Sequence, residues 1–273
     1  MAQPSNEPAL AIATIAIDAG VEILKHFGSD LEIDRKSDAS PVTIADQTAE
    51  AIIIGRLGTE FPKTEILAEE AASSGSMPSL PWDDGPSFFL VDPLDGTKEF
   101  ISGSGEFTVN IAHITDGRPT FGAVVAPALN LAYLGVVGSG AWRASLDANR
   151  PVLWEQISCR SLDEAHFASV GSRSHGSQET EDFLATLPVK SFVKAGSSLK
   201  FCRLAEGAAD LYPRFGRTME WDTGAGQAVL EAAGGIVLDA ETRTALRYGK
   251  KERGFDNPHF IAWADPSAPA KYS

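Results

Sequence analysis

Cysteine is scarce. The 273-residue chain holds two, Cys159 and Cys202, with no CxxC spacing and no histidine next to either. That argues against a zinc site and leaves two reduced thiols, as expected of a cytoplasmic protein. Basic charge is also short: 23 Lys and Arg face 37 Asp and Glu, a formal net charge of −14. Such a balance works against attraction to a nucleic-acid backbone, so no nucleic-acid polymer is expected as a partner. Long apolar runs are missing too. Met1 to Pro8 carries no Lys or Arg, and the apolar stretch that follows is broken by Thr14, Asp18 and Glu22. Neither a signal peptide nor a membrane span is expected. There is no internal repeat and no low-complexity linker. What remains, 43% hydrophobic and 22% charged, suffices to bury one large core or two modest ones.

The apolar pattern divides the chain. From Ala9 to Phe27, Ile12, Ile15, Ala16, Ala19 and Ile23 recur at helical spacing, and Gly28 can close the helix in a left-handed conformation. A second helix is predicted from Thr43 to Leu57, before Pro62. Then the period changes to short β-rich runs at Ser87 to Val91, Phe107 to Ile111, Phe121 to Val125 and Leu131 to Val137. Asp116-Gly117, Pro127 and Asn130 lie between them, which favours a mostly antiparallel sheet. Beyond about residue 150, strands at Phe167 to Val170, Phe192-Val193, Ala209 to Tyr212 and Ile236 to Asp239 alternate with helices at Thr180 to Leu187, Ser198 to Glu206 and Thr223 to Ala233. The organisation predicted is an α+β half, residues 1–150, and an α/β half, residues 151–273, that completes the site.

The segment Asp92-Pro93-Leu94-Asp95-Gly96-Thr97 follows an apolar strand and sets two carboxylates three residues apart. Pro93 and Gly96 allow a sharp turn that aims Asp92, Asp95 and a main-chain carbonyl at one point, a donor set for a hard cation such as Mg²⁺. A helical turn starting near Gly96 would present its free N–H groups, with those of Thr97, to a phosphate. Asp95-Gly96 alone is equally a surface turn. Two further acidic positions follow apolar segments: Glu69-Glu70 after Ile66-Leu67-Ala68, and Asp222 after Trp221, where a helix N-cap is the other reading.

Ala68-Glu69-Glu70, Asp92-Pro93-Leu94-Asp95-Gly96-Thr97 and Trp221-Asp222-Thr223-Gly224-Ala225 resemble, in order, the three signatures of the inositol monophosphatase superfamily. The likeness covers nearly the whole chain, including Ser40 to Asp46. It implies a layered α-β-α-β-α sandwich of mixed α/β class, with the antiparallel sheet in the N-terminal half. It implies that Glu69, Asp92 and the Leu94 carbonyl bind one Mg²⁺, that Asp92, Asp95 and Asp222 bind a second, and that a third, weaker ion sits near Glu69. Thr97 would contact the attacking water and form a proton-accepting pair with Asp46. Glu69 is included with them as a catalytic residue, and lithium sensitivity comes with the family. The physics agrees: close carboxylate pairs repel by roughly 4 kcal/mol at an effective dielectric near 20, so a cluster of them around a phosphate needs cations.

Lys98 to Ile101, Gly105 to Ile111, Ser172 to His175, Gly196 to Cys202 and Leu211 to Gly216 narrow the resemblance to the bacterial CysQ-type 3′(2′),5′-bisphosphate nucleotidases. The substrate implied is adenosine 3′,5′-bisphosphate or its sulfated form, a small molecule with two phosphates. Glu69, Asp95, Gly96, Thr97, Arg173, Ser174, His175, Ser198, Lys200 and Asp222 are the substrate contacts expected. Of these, Arg173, His175 and Lys200 are candidates for a second anion site remote from the metals. Read without the family, Lys200 is an exposed helix residue with Ser198 as its cap. The competing functions are an inositol or sugar monophosphatase and a non-catalytic regulatory protein on the same fold. The oligomer expected is a monomer or homodimer.

Overall fold

The structure, a computed structural model, describes residues 3–28, 33–35, 41–76, 87–171 and 177–272. Helix α1, Glu7–Leu24, starts where the Asn6 side chain accepts the Ala9 N–H, with Pro8 in its first turn. It ends a turn earlier than its apolar pattern suggests. The N–H groups of Lys25, His26 and Phe27 bond three residues back, a tightened turn that closes at Gly28. Strands β1 (Ile33–Arg35) and β2 (Pro41–Thr43) form a small antiparallel pair leading into α2, Ile44–Glu60. Thr43 caps α2 in a capping box with Asp46, and the helix continues beyond Leu57 until Phe61 and Pro62.

The first sheet runs in the order β10-β8-β7-β6-β5-β4-β3, with β9 added beside β8. Its strands are β3 (Glu65–Ala68), β4 (Ser87–Asp95), β5 (Thr108–Thr115), β6 (Arg118–Ala126), β7 (Leu131–Val136), β8 (Gly140–Asp147), β9 (Arg150–Pro151) and β10 (Glu155–Ile157). All pairings are antiparallel except β3 with β4. Alternation along the strands sends Phe89, Val91, Val109, Ile111, Val125 and Leu134 to one face, where they bury Ile12, Ile15, Ala49 and Ile53 of α1 and α2. A fully buried side chain of this kind contributes about 1.5–3 kcal/mol.

The opposite face, with Phe88, Leu90, Ala112, Val124 and Tyr133, packs on α6 (Leu199–Ala205) and α7 (Gly224–Ala232). Approach is closest at Gly135, where an added Cβ would lie 2.5 Å from the Val229 Cα, so a side chain there would push α7 off the sheet. On the far side of these helices lies a five-stranded sheet, β12-β11-β13-β15-β14, formed by β11 (Ala168–Gly171), β12 (Ser191–Lys194), β13 (Leu211–Arg214), β14 (Ile236–Asp239) and β15 (Phe260–Trp263). Helix α5, Gln178–Ala185, covers its outer face with Phe183 and Leu184 over Phe167, Leu211, Ile261 and Trp263. The layers are therefore α-β-α-β-α. Among the described residues no helix is long and apolar enough to cross a membrane.

Candidate active site

The two acidic strand ends meet because β3 and β4 are parallel neighbours, which puts Ala68 beside Val91 and carries Glu69 and Asp92 out at the same edge. Strand β4 does not stop at Val91; it runs through the Asp-Pro-Leu-Asp segment to Asp95, with a register shift between Asp92 and Asp95. That irregularity lets the Asp92 Oδ1 accept the Leu94 N–H at 3.0 Å. Gly96 follows at φ 92°, and α4, Thr97–Ile101, begins there. An added Cβ at Gly96 would meet the Ser197 Oγ at 2.2 Å, so both the backbone angle and the space require glycine.

Carboxylate oxygens of Glu69, Asp92 and Asp222 lie within 4.8 Å of one another. Asp222 reaches them from the loop before α7, where its Oδ2 accepts the Met219 N–H at 2.8 Å. Asp95 stands next to this group and completes its charge. Burial, then repulsion from Glu69, Asp95 and Asp222, holds the Asp92 carboxyl well above the usual carboxylate range. Burial, with Asp95 and Glu69 adding to it, does the same for Asp222. Asp95 is raised by burial to about 6, with the Lys200 charge and the Ser198 N–H pulling the other way. A cluster of oxygen donors that cannot all ionise together is what a hard divalent cation would relieve. Cross-strand partners share a face, so Asn110 and Thr108 of β5 stand beside Asp92 and Asp95. Both are buried, and among the described residues their side-chain polar atoms meet no hydrogen-bond partner. The donor set fits Mg²⁺.

The Thr97 Oγ1 lies 3.3 Å from the Asp46 Oδ1 and 3.3 Å from the Leu94 carbonyl. Asp46 is buried, and its other oxygen accepts the Thr43 N–H and hydroxyl at 2.8 and 2.7 Å. The capping box of α2 thus fixes the carboxylate that faces Thr97.

A cleft of about 380 Å³ opens in front of these groups, lined among others by Glu69, Asp95, Gly96, Thr97, Lys200 and Asp222. Lys200 is not an exposed helix residue; it is 7% exposed, its ammonium 5.6 Å from the centre of the Tyr212 ring. Nor is it remote from the acidic cluster, since it shares this cleft and interacts most strongly with Asp95. Burial lowers its pKa to about 8. Ser198 stands at the N-cap of α6, but its side chain makes no capping bond there. Its hydroxyl donates to the Asp222 carbonyl at 2.8 Å and its N–H bonds the Asp95 carboxylate, while Ser197 Oγ donates to the Asp95 carbonyl at 2.7 Å. This one turn ties together loops from the two halves of the chain. Arg173, Ser174 and His175 lie outside the described residues. The structure adds Tyr212, Arg214 and Arg217 to the cleft, which sequence reasoning had not singled out as contacts. Tyr212 and Arg214 lie in the Leu211 to Gly216 segment on which the narrower family resemblance rests, and Arg217 lies just beyond it.

Residues 5–264 match the inositol monophosphatase family. The chain belongs to that family. The proteins named 3′(2′),5′-bisphosphate nucleotidase CysQ from Salmonella typhimurium and Escherichia coli K12 are each 41% identical to it over 251 residues, covering 91% of this chain and 96% of theirs. The crystal structure of CysQ from Bacteroides thetaiotaomicron, a bacterial member of the family, superposes with a TM-score of 0.78 at 37% identity, covering 94% of this chain and 97% of that one. An inositol monophosphatase from Thermotoga maritima, 23% identical, shares the fold at a TM-score of 0.74, covering 96% and 93%. The layered sandwich expected from the sequence is the fold of this family member.

Proposed function

We propose that this family member is a magnesium-dependent phosphomonoesterase that removes the 3′-phosphate of adenosine 3′,5′-bisphosphate, giving AMP and phosphate. The observation that carries the reading is a single cleft holding both the acidic cluster and a set of cations, Lys200, Arg214 and Arg217. A monophosphate needs only the first; a bisphosphate uses both. The Arg214 Nε is buried and has no hydrogen-bond partner among the described residues, a donor suited to an anionic ligand. The relatives named as bisphosphate nucleotidases, at 41% identity, support the same substrate.

Glu69, Asp92, Asp95, Asp222 and the Leu94 carbonyl would hold two Mg²⁺ ions, with a third near Glu69. When bound, the metal neutralises phosphate charge and acidifies the attacking water. Thr97 Oγ1 takes a proton from that water as it passes its own to Asp46 Oδ1, along the 3.3 Å contact already present, so the threonine stays neutral and the proton rests on Asp46. The water oxygen bonds to phosphorus, the bond from phosphorus to the 3′-oxygen breaks, and the leaving 3′-oxygen takes a proton from solvent water while Asp46 later returns its proton to solvent. Lys200 and Arg214 hold the phosphate that is not cleaved, the Lys200 ammonium standing 5.6 Å from the centre of the Tyr212 ring.

Phosphate release from adenosine 3′,5′-bisphosphate, adenosine 3′-monophosphate and inositol 1-phosphate, with Mg²⁺ and after chelation, tests this. The bisphosphate should have the highest kcat/KM and activity should vanish on chelation. A preference for inositol 1-phosphate would overturn the substrate, and full activity without metal would overturn the mechanism.

A further inference from the structure

Asp46 and Glu50 lie one turn apart on the same face of α2. The first meets Thr97. The second meets α3, Glu69–Ser73, the five-residue helix whose first residue is Glu69. Ala68, at the N-cap of α3, offers no side-chain bond, and a helix of this length does not hold itself together. Its N–H groups are instead satisfied from another helix. Glu50 is 6% exposed, and its two carboxylate oxygens accept the Glu70 N–H at 2.7 Å and the Ala71 N–H at 2.8 Å. Such two-point, charge-assisted capping removes the rotation that would carry Glu69 away from Asp92 and Asp222.

We propose that Glu50 is a positioning residue for Glu69, fixing from α2 the turn that delivers the Glu69 carboxylate to the acidic cluster. One face of α2 then orients both the proton-accepting pair and a metal ligand. The proposal rests on the reading of Glu69 as a ligand to Mg²⁺. Loss of a group that orients a ligand typically weakens metal binding tenfold to a hundredfold.

The test is Mg²⁺ titration calorimetry on Glu50→Gln, Glu50→Ala and Glu69→Gln, with the unfolding midpoint of each metal-free protein measured alongside. A carboxamide can accept one of the two N–H groups but opposes the second, so Glu50→Gln should raise the Mg²⁺ Kd about tenfold, and saturating Mg²⁺ should restore most of kcat. Glu50→Ala should approach a hundredfold; if it does not fold, Glu50→Gln decides. An unchanged Kd in Glu50→Gln beside a lowered unfolding midpoint would assign Glu50 to stability alone and overturn the proposal, provided Glu69→Gln weakens binding. An unchanged Kd in Glu69→Gln would instead overturn the ligand reading and the proposal with it.

Discussion

Removal of Mg²⁺ should destabilise the protein in a pH-dependent way, and the sign follows from the acidic cluster. With oxygens of Glu69, Asp92 and Asp222 no more than 4.8 Å apart, each ionised pair costs about 3.5 kcal/mol at an effective dielectric of 20. The metal-free protein therefore keeps protons on Asp92, Asp95 and Asp222 that the unfolded chain, with carboxylates near pKa 3.9, releases. Folded values raised above unfolded ones give a stabilisation that is complete below about pH 4 and lost as the pH rises through the folded values, about 6 for Asp95. Mg²⁺ bound there would take the place of those protons. At pH 5.5 Asp95 is about one quarter ionised, so its proton alone weakens Mg²⁺ binding about fourfold, and Asp92 and Asp222 add to this. At pH 7.5 a concentration of 100 times Kd contributes about 2.7 kcal/mol, or roughly 5–10 °C for a chain of this size. Differential scanning calorimetry at pH 5.5, 6.5 and 7.5, with and without Mg²⁺, should show a metal-induced shift that grows with pH. A shift equal at all three values would refute the assignment of the metal to these carboxylates.

The fold was legible where the apolar period was unbroken. The four central strands and the helix around Ile12 follow from alternation and helical spacing, and they form the sheet and part of the layer beside it; the second helix lies where it is predicted, with Ala45, Ala49, Ile53 and Leu57 as its buried face. Strand β8 was not foreseen. It runs Gly-Ala-Trp-Arg-Ala-Ser-Leu-Asp, in which small and polar residues blur the alternation that Trp142 and Ala144 obey by burial. Strand β15 was missed for a different reason: its four residues are buried on both faces, so they carry no period at all. In the site, Asp92 and Asp95 are local in sequence and stand out as a pair, whereas Glu69 and Asp222 join them only through the parallel pairing of β3 with β4 and the loop before α7. Long-range contacts were not visible in this way. That Ser197 and Ser198 bond the backbone at Asp95 and Asp222, and that Lys200 is buried against Tyr212, depends on how two halves of the chain pack, and the pattern of α6 alone allows an exposed lysine.

Two substitutions separate the chemical step from substrate holding. Thr97→Ala removes the hydroxyl 3.3 Å from Asp46 without touching a carboxylate, so kcat should fall about 10²-fold while the Mg²⁺ Kd stays within about twofold; a change in KM alone would exclude Thr97 from proton transfer. Lys200→Ala tests the spectator phosphate. Loss of one charge-assisted bond, about 1.5–3 kcal/mol, should raise KM for adenosine 3′,5′-bisphosphate about tenfold to a hundredfold. Adenosine 3′-monophosphate should change little, because the phosphate it retains faces the acidic cluster. Since burial sets the Lys200 pKa at about 8, the ammonium is charged at neutral pH and lost above it, so the wild-type preference for the bisphosphate should decline above about pH 8. Lys200→Arg, charged throughout, should abolish that decline even where its geometry weakens binding. Lys200 also neighbours Asp95, however, and its removal can disturb the metal cluster. That disturbance would lower kcat/KM for both substrates in the same ratio, which would remove Lys200 from the phosphate site; a loss confined to the bisphosphate has no source other than the missing anion contact.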